Sequence, residues 1–250
     1  MKASLAGVKS ALDAFLNLVY PPVCQICHDN RATLNEGYVC PVCFEGANGV
    51  RFIRPPFCER CGLPYEGELT GPFRCSNCDG IRLYFRSARS AVVAKGLVLD
   101  VIHRYKYNGQ IWFEPFLAGL LEQAARPWLE PGRWDALVPV PLHPTKKRER
   151  GFNQAERLAV AFGAAAGLPV NKNALERVES TPTQTRLTQA ERRANVRDAF
   201  RCRAGEAVKG LKLILIDDVM TTGATTNACA RELTRAGAAE VCVWTVARGV

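Results

Sequence analysis

With 250 residues, 48% of them hydrophobic and 23% charged, the chain has the composition of a globular protein with room for one sizeable domain and a small one. No apolar run approaches the ~20 residues of a membrane-spanning helix, which argues against a transmembrane protein. The net charge of +9 points to a polyanionic partner, and the eleven cysteines point to metal chemistry.

Residues 1–20 read as an amphipathic helix. Leu5, Val8, Leu12, Phe15, Leu16 and Val19 share one face, while Lys9 and Asp13 interrupt the apolar run that a secretory signal would need.

Residues 21–86 form a second unit, rich in Pro and Gly and carrying four CxxC pairs: Cys24/Cys27, Cys40/Cys43, Cys58/Cys61 and Cys75/Cys78. Each CxxC brings two thiolates to one side of a tight turn, as a tetrahedral zinc ion requires. Without a secretory signal a disulfide framework is the weaker reading. The gaps of 12 and 13 residues between the pairs of each half have ribbon length, so two structural zinc ions are expected. Sequential quartets are the first arrangement, and pairing across the halves is the alternative. His28 adjoins Cys27, but eight cysteines already complete two sites. The unit holds seven Arg against seven Asp and Glu, so alone it is a poor electrostatic match for DNA.

Residues 87–250 alternate strand-like and helix-like segments, the pattern of a parallel sheet with helices on both faces. SAVVA near residue 90 reads as a strand and 96–107 as a helix. WFEPFLAGLLEQAA reads as a further helix, with Tyr105, Trp112, Phe113 and Phe116 as core. ALVPVPL (136–142) is a buried strand. It feeds a basic loop with Lys146, Lys147, Arg148 and Arg150 before Gly151, followed by a helix over 152–167. His103 and His143 read as structural. The polar run TPTQTRL then leads into a helix with Arg192, Arg193 and Arg197, and such a segment suits a loop that closes over a site. Residues 143–203 carry thirteen Lys and Arg against six Asp and Glu, so most of the excess charge lies here. LKLILID is the most apolar strand. A helix closed by Gly237 and a last strand, EVCVWTVARG, complete the chain. Cys202, Cys229 and Cys242 read as small buried hydrophobes.

The chemistry concentrates in LILIDDVMTTGATTNAC, residues 213–229. In an open parallel sheet, ligands bind beyond the carboxyl ends of the strands, where Asp217 and Asp218 are expected. Thr221, Thr222, Gly223, Ala224 and Thr225 then turn into a helix N-terminus. Backbone N–H groups and threonine hydroxyls there make a phosphate cradle. Two carboxylates beside a phosphate suit a sugar phosphate, because they accept from vicinal hydroxyls and stabilise positive charge at the anomeric carbon. An ordinary N-cap at Thr222 is the bland reading, but it leaves the self-repelling aspartates without a reason. No Walker A or GxGxxG sequence occurs.

The apolar strand, Asp-Asp and T-T-G-x-T together resemble the phosphoribosyl pyrophosphate (PRPP) motif of type I phosphoribosyltransferases. The wider set is RGFNQ at 150–154, the spaced residues Gln184, Leu187, Arg192 and Asn195, IDDVMTTGAT, and the CxxC-rich start. This set resembles the ComF family over essentially the whole chain. The resemblance implies a type I phosphoribosyltransferase-like α/β domain over 87–250, joined to a double zinc ribbon over 21–86, in the cytoplasm and linked to DNA uptake in naturally competent bacteria. Lys106, Tyr107 and Gly109, in RYKYNG, also match a family segment.

On this reading Asp217 and Asp218 hold the ribose and are the catalytic pair, and residues 221–225 hold the 5′-phosphate. Lys146, Lys147, Arg148, Arg150 and Gly151 hold the pyrophosphate with Mg2+, and Gln184 and Arg186 belong to the closing loop. The expected partners are PRPP, single-stranded DNA and competence DNA-uptake proteins. A phosphoribosyltransferase and a non-catalytic nucleic-acid module with a regulatory or vestigial PRPP site are the two roles compatible with these residues.

Overall fold

The computed structural model describes residues 22–65, 67, 75–179, 196, 198–203 and 205–250. The helix expected over 1–20 and the segment with Gln184, Arg186, Leu187, Arg192, Arg193, Asn195 and Arg197 lie outside the described residues.

Four parallel strands form the main sheet: β1 (Ala88–Val93), β2 (Ala136–Pro139), β5 (Lys212–Met220) and β6 (Glu240–Arg248), in the spatial order β1-β6-β5-β2. A short antiparallel pair, β3 (Leu175–Arg177) and β4 (Phe200–Cys202), stands beside it and was not expected from the sequence. β5 and β6 are central and nearly continuous in apolar side chains, as strands covered on both faces must be. Alternation along β5 sends Ile214 and Ile216 to one face, where they pack with Trp244 and Val246 against α2 (Gly96–Tyr107), α3 (Glu114–Ala125) and α5 (Gln154–Ala166). Leu213 and Leu215 face the other way, toward β3, β4, α6 (Gly205–Val208) and α7 (Ala224–Arg235). Helices therefore cover both faces.

Both edges of the sheet are dressed by irregular chain. Ile53 N–H donates to Ala91 O at 2.9 Å and Val93 N–H to Arg51 O at 2.9 Å, so the linker between the two ribbons lies antiparallel along β1. At the opposite edge Leu137 exchanges bonds with Pro169 O and Asn171 N–H, each at 2.8 Å.

Several expectations change. β5 continues two residues past the aspartates, because β6 pairs it throughout, with Asp217 opposite Thr245 and Met220 opposite Arg248. The basic loop is instead a helix, α4 (Pro144–Arg150). His143 Nδ1 caps it by accepting from Thr145 N–H at 3.3 Å, and Pro144 stands at its first position. Gly151 ends it in the left-handed region at φ 82°, with open space where a Cβ would be. That glycine serves as a helix terminator. Tyr105, Phe113 and Phe116 are core, whereas Trp112 is 36% exposed. Cys229 and Cys242 are buried, while Cys202 is only half-buried.

The cysteine unit packs directly on the sheet domain. Its first half carries the one-turn helix α1 (Pro41–Glu45), and Cys58, Cys61, Cys75 and Phe85 of the second half belong to the same apolar cluster as α7.

Candidate functional site

The eight cysteines form two quartets, Cys24/Cys27/Cys40/Cys43 and Cys58/Cys61/Cys75/Cys78, each with all four Sγ atoms within 4.8 Å of one another. The quartets are thus sequential. Four thiolates at ~2.3 Å from a central zinc lie ~3.8 Å apart. Sulfur separations within the quartets include Cys24–Cys43 and Cys27–Cys40 at 3.8 Å, Cys58–Cys78 at 3.9 Å and Cys61–Cys75 at 3.6 Å. The residues therefore fit the ion. Backbone amides prepare the thiolates: Cys40 N–H points at Cys24 Sγ from 3.3 Å and Cys43 N–H at Cys40 Sγ from 3.5 Å. Burial raises the Cys61 thiol, but bonds from the Asn77 side chain, the Leu63 amide and Cys78, with the charge of Arg248, outweigh it and bring the thiol to about 7. Burial pushes its neighbours Cys75 to about 11 and Cys78 higher still, so the quartet shares its charge unevenly. His28 is exposed and stands outside both quartets.

The second centre lies at the carboxyl end of β5. Asp217 is 8% and Asp218 3% exposed. Their side chains take opposite faces of the strand, and each bonds a following amide: Asp217 Oδ1 accepts from Asp218 N–H and Asp218 Oδ1 from Val219 N–H, both at 2.9 Å. Asp218 pairs with Lys106 Nζ from the last turn of α2. Asp217 faces a small cleft of about 80 Å3, lined otherwise by Val219 to Thr226. Ligand pockets usually span about 300–1,000 Å3, so this one suits a single oxyanion group. Gly223 sits at φ 75° as the N-cap of α7. That positive φ is what calls for glycine, and a Cβ there would also lie 2.7 Å from Met220 Cε, the far end of a side chain that would have to shift. Thr222 Oγ1 accepts from Ala224 N–H at 3.3 Å and Thr226 Oγ1 donates to Gly223 O at 3.1 Å. The hydroxyls hold the turn open over the first amides of α7, whose dipole favours an anion.

Cations surround the aspartates. Burial raises Asp217 to about 6, against the lowering effect of Lys106, Arg177 and Arg150 in that order. Burial lowers Lys106 to about 8, with Asp217 opposing. Arg150 stacks over Tyr107 at 5.2 Å and donates to Gln154 Oε1 at 2.5 Å. Lys146 is pushed below the usual lysine range by burial and then by Arg177 and Arg150. Arg150 thus acts on Asp217, while Lys146 stands beside Arg150 and Arg177. Lys147 pairs instead with Glu156 at 3.3 Å, and Arg148 is exposed.

Lys106 and Arg177 are the residues whose role sequence reasoning missed. RYKYNG singled out Lys106 without a purpose. Arg177, in β3, had no motif around it.

A family model for a double zinc ribbon domain matches residues 15–80. Competence protein F of Haemophilus influenzae is 31% identical over 203 residues, 77% of this chain and 85% of its own. The DNA utilization protein YhgH of Salmonella typhi is 32% identical over 92% of this chain and 99% of its own. Competence protein ComFC of Bacillus subtilis is 27% identical over 83% and 84%. Among solved structures, the glutamine PRPP amidotransferase of B. subtilis aligns with 52% of this chain and 25% of its own at 22% identity and TM-score 0.35. The purine phosphoribosyltransferase of Pyrococcus horikoshii aligns with 55% and 84% at 16% identity and TM-score 0.32.

Proposed function

We propose, from the premise that the chain belongs to the ComF family of competence and DNA utilization proteins, that it binds PRPP at the carboxyl end of β5. One observation carries this reading. A buried aspartate pair ringed by Lys106, Arg150 and Arg177 opens onto a cleft for one oxyanion at a helix N-terminus. A double carboxylate next to an anion site makes sense for a ligand with hydroxyls between its phosphates.

Thr221 to Thr225 hold the 5′-phosphate. Asp217, which lines the cleft, accepts from the ribose hydroxyls, and Asp218 holds Lys106 in place. Arg150 and Lys146, with Arg177, receive the pyrophosphate. Lys147 and Arg148 serve at the rim of that subsite, and Gly151 ends the helix that carries them. If the bond to the anomeric carbon breaks, Asp217 is the group whose charge favours the developing cation. Magnesium enters as the companion of the pyrophosphate, since among the described residues the groups of three or more metal-ligating side chains are the two cysteine quartets.

Eleven unbridged thiols suit a reducing compartment such as the cytoplasm, and no helix among the described residues is long and apolar enough to cross a membrane. The relatives' names favour a second reading, in which the chain handles single-stranded DNA beside competence proteins and PRPP is a regulatory ligand. Calorimetric titration with PRPP and magnesium tests the site: micromolar binding that Asp217→Asn abolishes supports it, and heat identical in the variant defeats it. Pyrophosphate release from bound PRPP with a cell extract separates enzyme from module.

A further inference from the structure

The side chain of Arg248, the last residue of β6, is wholly buried between the second cysteine quartet and the oxyanion loop. Its Nη1 donates to Met220 O at 2.9 Å and also to Thr221 O, the two carbonyls that lead into the loop. Its Nη2 points at Cys61 Sγ from 3.9 Å. The next residue adds to the contact: Gly249 N–H donates to Met220 O at 2.9 Å, and a Cβ on Gly249 would come within 2.8 Å of Thr221 Cγ2. A second connection grips the far side of the loop. The tail of the second ribbon runs over the first turn of α7, where Asn227 Oδ1 accepts from Tyr84 N–H at 2.7 Å and Asn227 Nδ2 donates to Arg82 O at 3.0 Å.

We propose that the second cysteine quartet and the oxyanion loop form one coupled unit, with Arg248 as the positioning residue, so that metal in the quartet sets the loop's grip on phosphate.

A zinc ion with four thiolates carries a formal charge of −2, which is the counter-charge a buried guanidinium needs. Arg248 spends two donors on the loop and one on that charge. When the metal leaves, the four sulfurs are no longer held together against Nη2, and the guanidinium loses the fixed counter-charge that keeps it buried. Moving it toward water frees the carbonyls of Met220 and Thr221, and the amide cradle loses its shape. Linkage makes the effect mutual: a phosphate that fixes the loop holds Arg248 against Cys61 and retains the metal. The first quartet has no such connection among the described residues, so the two zinc ions should respond differently.

The identity of the phosphate ligand rests on the PRPP reading, while the coupling does not. The test follows zinc release from the full-length protein into a chromogenic chelator, with and without saturating PRPP. Expected is release of one zinc slowed about five-fold or more and the other unchanged, within the usual range of coupling between sites. Arg248→Met should keep two zinc ions, bind PRPP about tenfold more weakly and lose the slowing, and Arg248→Lys should restore part of both. If PRPP binds the unaltered protein yet neither zinc is retained longer, the coupling is wrong. If PRPP and inorganic phosphate both fail to bind, the PRPP reading falls by itself. The coupling is then decided by hydrogen exchange across residues 220–226, where faster exchange in zinc-loaded Arg248→Met supports it and unchanged exchange overturns it.

Discussion

Lys106, at the end of α2, closes an ion pair with Asp218 near the carboxyl end of β5, so a helix far from the Asp-Asp stretch in sequence holds its second carboxylate. Removing one partner leaves the other charge buried and alone. Lys106→Met should therefore cost on the order of 3 kcal/mol in urea unfolding, and Lys106→Met with Asp218→Asn should recover most of it. A double variant as unstable as the sum of the singles would show that the pair does not interact.

Asp217 gives a pH signature. Its folded value, raised to about 6, lies above the unfolded 3.8, so the folded state prefers the protonated form. The associated stability is complete below about pH 4 and is lost as pH rises through 6. Lys106 runs the other way: lowered to about 8 from 10.5, it contributes stability above the unfolded value that is lost as pH falls through 8. At neutral pH both charges are held at a cost. Asp217→Asn should raise stability by on the order of 1–3 kcal/mol at pH 8 and by little at pH 4.5, while weakening PRPP binding. Thermal melts at the two pH values check the sign.

Gly223→Ala should lose phosphate binding and cost about 1–2 kcal/mol, because alanine at φ 75° is strained and its methyl meets Met220. Gly151→Ala shares the strain but meets no neighbour, so it should affect stability alone. Parallel melts and titrations distinguish them.

Purified without chelators, the protein should hold two zinc ions by atomic spectroscopy. Cys58→Ser should reduce the count to one and loosen the second ribbon. A count of one in the unaltered protein contradicts the two quartets.

If single-stranded DNA binds along 143–203, affinity should fall steeply with salt and PRPP should compete. Changing Lys146, Lys147 and Arg148 to Ala should weaken both ligands. Gel shifts across a salt series measure this, and salt-insensitive binding moves the DNA site elsewhere.

The aspartates, the TTGAT turn and the cysteine quartets could be read from sequence because each is local chemistry within a short window. The sheet with helices on both faces followed from alternating apolar segments. What escaped depends on distant chain. The extension of β5 past the aspartates is imposed by β6, and a strand's own pattern does not reveal its partner. Lys106 and Arg177 meet Asp217 only through the fold. KKRER reads as a loop because a basic run looks solvated, and its helix depends on the His143 cap and on Pro144 at the first position.

The linker at 51–53, laid antiparallel along β1, changes what it means to cut this protein in two. Deleting the ribbons would strip that strand and leave its outward N–H and C=O groups seeking another chain, the usual start of sheet-to-sheet aggregation. A truncated form that precipitates would then report a bare edge, and its lost activity would say nothing about what the ribbons recognise.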